Sequence, residues 1–332
     1  MKIAITGGTG LVGRTVALQL AAEHHQIVLI ARGLSPFPPS LEKEPGIRLI
    51  RANVSESAKL AKAFTGCGAV IHCAGIRFER GEQTFDRVHR QGTLQVIEAA
   101  RQAGVRKLVS LGFLRARPSC GSLFHESKWN AEQLVLRSGL DFTILKCGVI
   151  YGPGDHMLDH LSHGYHTFPI FPFVGFKDRG IRPIAVEDVA RVVRASVLEG
   201  AFPCRTLAVL GPELLKLREA MRRVASVVGR RPLMFPMPVW FHLLFAWCLE
   251  RCMVVPMISL AQVRMMAEGI AEPVPACELV PEPWAPSTCF TKEHIRKGLP
   301  APGPFARGHF RRCGRRYLST HGHHSRVFFE MP

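Results

Sequence analysis

The sequence lacks the features that mark several classes of protein. Its ten cysteines fall at irregular spacing with no Cys-x-x-Cys pair, so a secreted disulfide framework is not expected and the thiols are predicted to be reduced. The apolar run 239–247 is too short to cross a membrane, because Glu250 and Arg251 interrupt it. The first predicted strand begins at Lys2, which leaves no room for a targeting peptide. We therefore expect a cytoplasmic protein, or one attached to a membrane from its cytosolic side.

Acidic residues are also scarce. The chain has 26 Asp and Glu against 43 Lys and Arg, which gives a net charge of +17 and a pI near 10. The basic residues are spread along the predicted helices and the C-terminal tail, and no recognition motif with interleaved aromatic residues accompanies them. Nucleic-acid binding is therefore not expected. An anionic cofactor or an anionic membrane surface explains the charge equally well.

The chain opens with a strand, a glycine-rich turn and a helix. The apolar run 3–5 leads into 6–13, whose glycines fit Gly-x-Gly-x-x-Gly and Gly-x-x-Gly-x-x-Gly, and a helical pattern follows. A helix N-terminus offers unpaired N–H groups and the positive end of its dipole to a phosphate. Gly8 and Gly10, which have no Cβ, are expected to let the backbone approach a diphosphate. The residues predicted to bind this part of a dinucleotide are Gly7, Gly8, Thr9, Gly10, Leu11 and Val12.

The end of the second predicted strand indicates which dinucleotide binds. Residues 26–30 form an apolar run that ends at Ala31 and Arg32, roughly 20 residues beyond the glycines. An NAD-binding fold usually carries an acidic residue there for the ribose 2′-hydroxyl, whereas an arginine accepts the 2′-phosphate of NADP. Arg32 therefore favours NADP(H), with NAD(H) as the second choice.

Strands and helices alternate through the next part of the chain. Further strands are predicted at 46–51, 69–72, 107–111, 141–146 and 206–211, and helices at 14–23, 55–64, 85–103, 124–134, 186–198 and 214–228. This α/β alternation predicts a doubly wound parallel sheet of the Rossmann type, with its ligand at the carboxyl ends of the strands. Asn53 and Val54 are expected to flank the adenine. Cys73, Ala74 and Gly75 are small enough to let the cofactor lie against the backbone.

The length of the chain suits one large α/β domain with a smaller, mostly helical C-terminal part on the substrate side. Residues 169–176 form an apolar loop suited to walling a hydrophobic substrate pocket, and 271–287 is interpreted as a surface linker. The predicted divisions are an NAD(P)-binding core at 1–150, a substrate-side insertion at 151–182, a return to the core at 183–230, a helical cap or substrate domain at 231–299, and a basic, disordered tail at 300–332.

The cap leaves two interpretations open. From residue 232 to 266 the sequence is apolar on most sides of its predicted helices. It forms either two packed helices over the substrate cleft or a membrane-facing lid for a lipid-like substrate such as a quinone. In the second case, peripheral membrane contact is expected through residues 232–258.

Several motifs, taken in order, resemble one superfamily. The matching residues are 6–13, 74–75, Ser110, 127–128, 151–155 and 182–190. With this order and spacing the chain resembles the extended or atypical short-chain dehydrogenases/reductases, of the NAD-dependent epimerase/dehydratase kind. Within that superfamily the resemblance is closest to the NAD(P)H-binding group that includes an accessory subunit of respiratory complex I. It covers roughly residues 1–300.

One residue departs from the pattern of that superfamily. The resemblance implies a Tyr-x-x-x-Lys pair on one helix face, in which the phenol exchanges the substrate proton and the lysine binds the nicotinamide ribose and lowers the pKa of the phenol. Here the lysine is Lys128, and Phe124 stands four residues before it. Of the three tyrosines in the chain, Tyr151 is expected to lie nearest the cleft.

Three accounts of the missing phenol remain open. His125 or another group replaces it, Lys128 itself acts, or the protein binds its cofactor without turning it over. Ser110, at a predicted strand end, is the candidate for polarising a carbonyl, so the catalytic candidates are Lys128 and Ser110.

The first functional prediction is an NADP(H)-dependent oxidoreductase that acts on a hydrophobic small molecule. The alternative is a non-catalytic NAD(P)H-binding subunit or sensor. A sugar-nucleotide epimerase is a weaker third prediction, because it needs the same phenol. The oligomeric state is left open.

A series of histidines follows residue 155 at helical spacing. Ligation of a metal by His156 and His160 is geometrically feasible. Partly exposed histidines that line the cleft are the simpler interpretation, so no metal site is predicted. The series consists of His156, His160, His163 and His166.

Overall fold

The computed structural model describes residues 1–33 and 39–310. Its strands are β1 (Lys2–Thr6), β2 (Gln26–Ala31), β3 (Ile47–Arg51), β4 (Ala69–His72), β5 (Lys107–Phe113), β6 (Asp141–Cys147), β7 (Ile150–Tyr151), β8 (Ile170–Val174), β9 (Gly180–Ile181), β10 (Ile184–Ala185), β11 (Arg205–Val209), β12 (Leu215–Lys216), β13 (Leu233–Met237) and β14 (Glu278–Leu279). Its α-helices are α1 (Leu11–Ala22), α2 (Pro39–Glu42), α3 (Ser57–Phe64), α4 (Gly92–Gln102), α5 (Leu123–Leu136), α6 (His156–Thr167), α7 (Val186–Leu198), α8 (Leu217–Val228), α9 (Val239–Cys252), α10 (Leu260–Glu268) and α11 (Lys292–Gly298). A π-helix at Asp86–Gln91 leads into α4, and a 3-10 turn lies at Arg307–His309.

Eight parallel strands form the central sheet, in the order β14-β11-β6-β5-β4-β1-β2-β3. The inner strands are short apolar runs because both faces of a parallel sheet are covered by helices. The prediction of a doubly wound Rossmann sheet is confirmed. The order of the strands reverses between β1 and β4, and a crevice is expected outside the carboxyl ends of these two strands.

The alternation of side chains along β1 divides the core into two layers. Ile3 and Ile5 pack with α1 and α7 on one face of the sheet, in a cluster that includes Leu20. Ala4 points to the opposite face and packs with α3 and α4, where Phe64 is fully buried. Both faces of the sheet are therefore closed to solvent, and the ends of the strands are left for a ligand.

The C-terminal part packs beside the carboxyl edge of the sheet. Helices α6, α8, α10 and α11 share a third apolar cluster with side chains from β5 and β8. Ser259 begins α10 with a capping box, and Gly229 ends α8 in the left-handed conformation, so both helices are bounded by local signals. Within the described ranges no helix is both long enough and apolar enough to cross a bilayer.

The structure differs from the sequence-based expectations at 214–216, 271–287 and 300–310. Residues 271–287 are not only a surface linker, because Glu278–Leu279 pairs with β11 and extends the sheet. Such a short strand has no periodicity from which it could be predicted. Residues 214–216 do not belong to α8, because Leu215–Lys216 pairs with β9 as β12. Residues 300–310 of the predicted disordered tail contact α6, where the His163 ring nitrogen lies 2.6 Å from the carbonyl oxygen of Gly303, whereas 311–332 lie outside the described residues.

The carboxylate of Asp188 attaches the C-terminal segment to the core. Its side chain is buried at the start of α7 and accepts hydrogen bonds from the backbone N–H groups of Ser287 and Thr288, at 3.1 and 2.9 Å. Arg191 adds an ion pair at 3.0 Å. The preceding residue, Glu187, is exposed, so these two neighbouring carboxylates differ in burial and contacts.

We expect Asp188→Ala to lower the free energy of unfolding by roughly 2–3 kcal/mol, because two backbone N–H groups lose a charged acceptor. The measurement is urea unfolding followed by circular dichroism. The control Glu187→Ala should change stability by less than about 0.5 kcal/mol. Equal losses in the two variants would contradict the role given to Asp188.

Candidate functional site

The turn between β1 and α1 lies in close contact with the end of β4. Gly7 has a φ of +68°, and a Cβ there would lie 2.6 Å from the backbone nitrogen of Ala74. A Cβ on Gly13 would lie 2.5 Å from the carbonyl oxygen of Gly7. No side chain fits at either position, so the backbone is bare where α1 begins. The first N–H groups of α1 have no partner within the helix and are available to a ligand.

The other two glycines of the turn have their own contacts. A Cβ on Gly8 would lie 2.3 Å from the side chain of Leu29, so this glycine makes room for β2. Gly10 is the N-cap of α1 in an extended conformation, and its N–H donates to the Gly7 carbonyl at 3.1 Å. Leu11 and Val12 line a cavity at the edge of the sheet. That Gly8 and Gly10 let the backbone approach a diphosphate stays a prediction.

A narrow cavity lies at the carboxyl ends of β1, β2, β3 and β4, and we call it the Arg32 cavity. The Arg32 guanidinium lies at its rim and donates to Oε1 of Gln83 at 2.8 Å. Most of the residues predicted to bind the adenosine half of the cofactor meet here. The predicted residues that line it are Gly7, Thr9, Arg32, Asn53, Val54, Ala74 and Gly75.

A larger cavity of about 210 Å³ lies beyond Gly75, at the ends of β4, β5 and β6. We call it the Lys128 cavity, because Nζ of Lys128 reaches into it and donates to the carbonyl oxygen of Leu111 at 3.4 Å. Burial lowers the pKa of Lys128, and the negative charge of Glu132 one turn later opposes that shift. Cys73 also lines this cavity, as predicted. Gly75 lines both cavities, so they form one crevice along the edge of the sheet.

Ser110 does not line the Lys128 cavity. Strand β5 continues to Phe113, beyond the predicted end, and Leu111, Gly112 and Phe113 line the Lys128 cavity in its place. Ser110 is buried within the strand, opposite His72. The predicted strand end was wrong because the ladder continues through Gly112, directly after Leu111, which pairs with Lys146 of β6.

The position of the missing phenol is filled by aromatic rings. Phe124 is buried and lines the Lys128 cavity, where its ring packs edge-on against Phe85, His89 and Phe113 at centroid distances of 5.2 to 5.5 Å. None of the described residues that line this cavity carries a hydroxyl group. The side of the cavity formed by Phe113 and Phe124 is therefore apolar, whereas Arg14, Arg77 and Asp155 also line it.

Neither a described tyrosine nor His125 replaces the phenol beside Lys128. The Tyr151 hydroxyl donates to the Cys289 carbonyl at 3.1 Å, and Tyr151 does not line the cavity, although its neighbour Ile150 does. The Tyr165 hydroxyl donates to the Met221 carbonyl. His125 is fully buried, with Nδ1 2.7 Å from the Ser122 hydroxyl, and does not line the cavity. Tyr317 lies outside the described residues.

A third cavity, of about 210 Å³, lies beside the Lys128 cavity and is walled almost entirely by apolar side chains. We call it the apolar cavity. Phe171 and Phe173 contribute from β8, so the predicted apolar wall at 169–176 is built by a strand rather than a loop. His156, at the start of α6, lines both this cavity and the Lys128 cavity. It therefore stands where the two meet.

The histidines of α6 are more buried than expected. His156 and His160 are almost inaccessible, and their ring centroids are 3.5 Å apart. Burial lowers the pKa of both, to about 3 for His160, so each ring is neutral near pH 7. The described residues contain no group of three His, Cys, Asp or Glu side chains that could hold a metal ion. The expectation of partly exposed rings holds for His163 and His166 only.

The comparisons with known proteins agree with this geometry. The model of the family described as NAD(P)H-binding matches residues 7–199. The chain belongs to this NAD(P)H-binding family. The predicted resemblance to the short-chain dehydrogenase/reductase superfamily is thereby confirmed, and the bare turn at Gly7 is a cradle that fits the diphosphate of a dinucleotide.

Relatives of this NAD(P)H-binding protein have different roles. The ceramide reductase of Caulobacter vibrioides is 31% identical over 71% of this chain and 73% of its own length. Subunit 9 of the NADH dehydrogenase [ubiquinone] 1 alpha subcomplex of Arabidopsis thaliana is 24% identical over 70% of this chain and 60% of its own length. An uncharacterized protein of Mycobacterium tuberculosis is 25% identical over 69% of this chain, which spans only 23% of that protein.

Solved structures share the fold of this protein at low identity. The UDP-glucose 4-epimerase of Thermus thermophilus, in complex with NAD, has a TM-score of 0.65 and is 19% identical, with 90% of this chain and 97% of that chain covered. This likeness confirms the Rossmann architecture and no more.

The buried histidines should make the protein sensitive to acid. Burial lowers the pKa of His72 to about 3, and its ring nitrogens lie within hydrogen-bonding distance of the Thr6 and Thr93 hydroxyls. In the unfolded state His72 binds a proton near pH 6.5, whereas in the folded state it stays neutral down to its lowered pKa. Its contribution to the free energy of unfolding is therefore full above pH 6.5 and is lost as the pH falls towards the folded pKa.

For His72 alone we expect the free energy of unfolding to fall by up to roughly 1.4 kcal/mol per pH unit between about pH 6.5 and 4. Urea unfolding across this range measures the slope. In His72→Asn the slope should be shallower than in the wild type. The same slope in both proteins would show that His72 is not held neutral by the fold.

Proposed function

We propose that the protein is an NADP(H)-dependent reductase that acts on a carbonyl group of a hydrophobic small molecule. The observation that carries this proposal is the junction at His156, where the apolar cavity meets the Lys128 cavity. An apolar molecule held in the first would present one end to the second. Membership of the family supports NAD(P)H binding, and relatives of the chain include reductases.

Charge in the Arg32 cavity supports NADP(H) over NAD(H). Arg32 follows β2 directly, at the position where a carboxylate would hold the ribose 2′-hydroxyl of NAD. None of the described residues that line this cavity is acidic. A 2′-phosphate would meet the guanidinium without an opposing charge.

Lys128 would have two tasks in such a reductase. When bound, NADPH supplies a hydride to the substrate carbonyl. The Lys128 ammonium would hold the nicotinamide ribose and donate a proton to the carbonyl oxygen, since burial makes this ammonium more acidic in a cavity whose described lining has no hydroxyl group. The rings of Phe113 and Phe124 would keep water from the reacting atoms.

One observation favours a second candidate function, a non-catalytic NAD(P)H-binding protein. Phe124 is buried in a closely packed aromatic cluster and cannot exchange a proton. If Lys128 serves only to hold the ribose, the crevice binds the dinucleotide and performs no reaction.

The cofactor preference can be measured directly. Arg32→Asp should weaken NADPH binding by roughly tenfold to a hundredfold, because a charge-assisted contact is replaced by repulsion. NADH binding should change by much less. The measurement is nicotinamide fluorescence titration with both dinucleotides. Arg48→Asp, which reverses an exposed charge on β3, is the matched control and should change neither affinity.

The reaction is tested with NADPH and a panel of long-chain aldehydes, ketones and quinones. Lys128→Met should lower kcat by roughly 100-fold or more. The wild-type rate should also fall as the pH rises through the lowered pKa of Lys128, because the deprotonated amine cannot supply the proton.

The second candidate function predicts a different result in the same assay. NADPH would bind to the wild-type protein and stay reduced with every compound in the panel, and Phe124→Tyr would gain a rate. That outcome would overturn the proposed reductase and leave the cofactor site intact.

A further inference from the structure

One side of the C-terminal part exposes apolar side chains to solvent. Each has between 42% and 67% of its surface accessible. Isolated exposed leucines are ordinary, but a group of large apolar and aromatic side chains marks an interaction site. We call this group the apolar face, and it consists of Phe168, Ile170, Leu233, Trp240, Leu244 and Trp247.

The backbone brings these side chains together. Strands β8 and β13 pair in parallel with Ile170 opposite Leu233, and the Leu233 N–H donates to the Pro169 carbonyl at 2.9 Å. β13 then leads through a single residue, Pro238, into α9. The apolar face is therefore carried by a two-stranded ribbon and by the helix that directly follows it.

The exposed side of α9 is apolar, whereas the exposed side of an ordinary surface helix is polar. His242 and Ala246 are its buried residues. Trp240, Leu244 and Trp247 follow one another at helical spacing on the exposed side, where a surface helix of a globular protein carries polar residues. A helix of 14 residues cannot span a bilayer, but aromatic and aliphatic side chains in this arrangement suit a helix that lies in the plane of a membrane surface.

The exposed charged side chains next to β8 and β13 are basic. The guanidinium of Arg251 lies 3.6 Å from the centroid of the Trp247 ring. Arg230, Arg231 and Lys177 are exposed next to β13 and β8, and they make no ion pair with a carboxylate of the described residues. The acidic residue of α9, Glu250, accepts the Leu260 N–H at 2.8 Å and is turned towards α10. A partner for this face should therefore be apolar inside and anionic at its surface.

The apolar cavity opens on the same face. Phe168 and Ile170 line this cavity and are also exposed to solvent, and Phe245 of α9 forms another part of its wall. A hydrophobic molecule has low solubility in water and would reach this cavity only slowly from solution. If the rim of the cavity lay among acyl chains, the molecule could enter directly from the bilayer.

We propose that the apolar face docks on the surface of an anionic lipid bilayer, with α9 in the interfacial plane and the mouth of the apolar cavity towards the acyl chains. Indole rings at the level of the headgroups and arginine side chains reaching the lipid phosphates provide the attraction. The docking itself does not depend on reduction. Only the entry of a substrate from the bilayer rests on the proposed function.

The test is flotation of the full-length protein with vesicles of phosphatidylcholine alone and of phosphatidylcholine mixed with phosphatidylglycerol. We expect binding to the anionic vesicles that weakens as salt is added. Phosphatidylcholine with brominated acyl chains, included in the anionic vesicles, should quench tryptophan emission, because the indoles of α9 reach the acyl region. Absence of flotation with either vesicle would overturn the proposal.

A double variant separates the apolar face from the charge of the chain as a whole. Trp240→Ser with Trp247→Ser should bind anionic vesicles roughly tenfold more weakly or worse and lose the quenching. The control is Leu136→Ser with Leu279→Ser, which removes exposed leucines from α5 and β14 and should bind as the wild type does. Unchanged circular dichroism would show that all the chains are folded.

Two further outcomes would overturn the proposal. If the tryptophan variant binds vesicles as well as the wild type, the attraction comes from basic residues elsewhere. If sedimentation shows a dimer that the same variant dissociates, and the wild type does not float, the apolar face is an interface between two copies of the chain. Fluorescence titration with NADPH in the same samples reports the cofactor site separately, so failure of docking and failure of the proposed function are distinguishable.

Discussion

The close approach of two backbone segments, the turn after β1 and the end of β4, determines the architecture of this protein. Gly7 lies so near Ala74 that a Cβ would be 2.6 Å from its nitrogen, and Gly13 is held equally close to Gly7. This packing seats α1 on the sheet at the point where the strand order reverses, with its N-terminus facing the crevice. The Arg32 cavity and the Lys128 cavity lie on either side of that contact and share Gly75 as a wall. A side chain at Gly7 would both close the crevice and displace α1.

The sequence predicts the parts of the fold that depend on local pattern. The glycine turn, the strand alternation and the end of α8 at Gly229 are encoded within a few residues, and the structure contains all three. The role of Gly8 could not be read in the same way, because its constraint comes from Leu29 on another strand. The end of β5 was predicted wrongly for a related reason. The length of β5 is set by pairing with β6 as far as Phe113, and that pairing leaves no signal in the local sequence.

For the site, the sequence shows which groups are missing more reliably than which groups replace them. The sequence alone shows that Phe124 stands four residues before Lys128. It does not show that the Phe124 ring packs against Phe85 and Phe113, with no hydroxyl group along the described wall, because that packing depends on three separate elements meeting in space. The burial of His156 and His160 was missed because helical spacing shows that they share a face but not what covers it. In this protein residues 300–310 and the segment between α9 and α10 cover it, through Phe305 and Met257.

Burial explains how polar and apolar requirements coexist at one edge of the sheet. Lys128 keeps its ammonium in the cavity because the Leu111 carbonyl accepts a hydrogen bond from it and Glu132 supplies an opposing charge. A few residues away, the apolar cavity has almost no polar wall, and neutral His156 stands between the two. A substrate with one polar end and an apolar body satisfies both environments at once, whereas a sugar nucleotide would leave its hydroxyl groups without partners in the apolar cavity. The apolar lining of this cavity continues to the exposed side chains of Phe168 and Ile170.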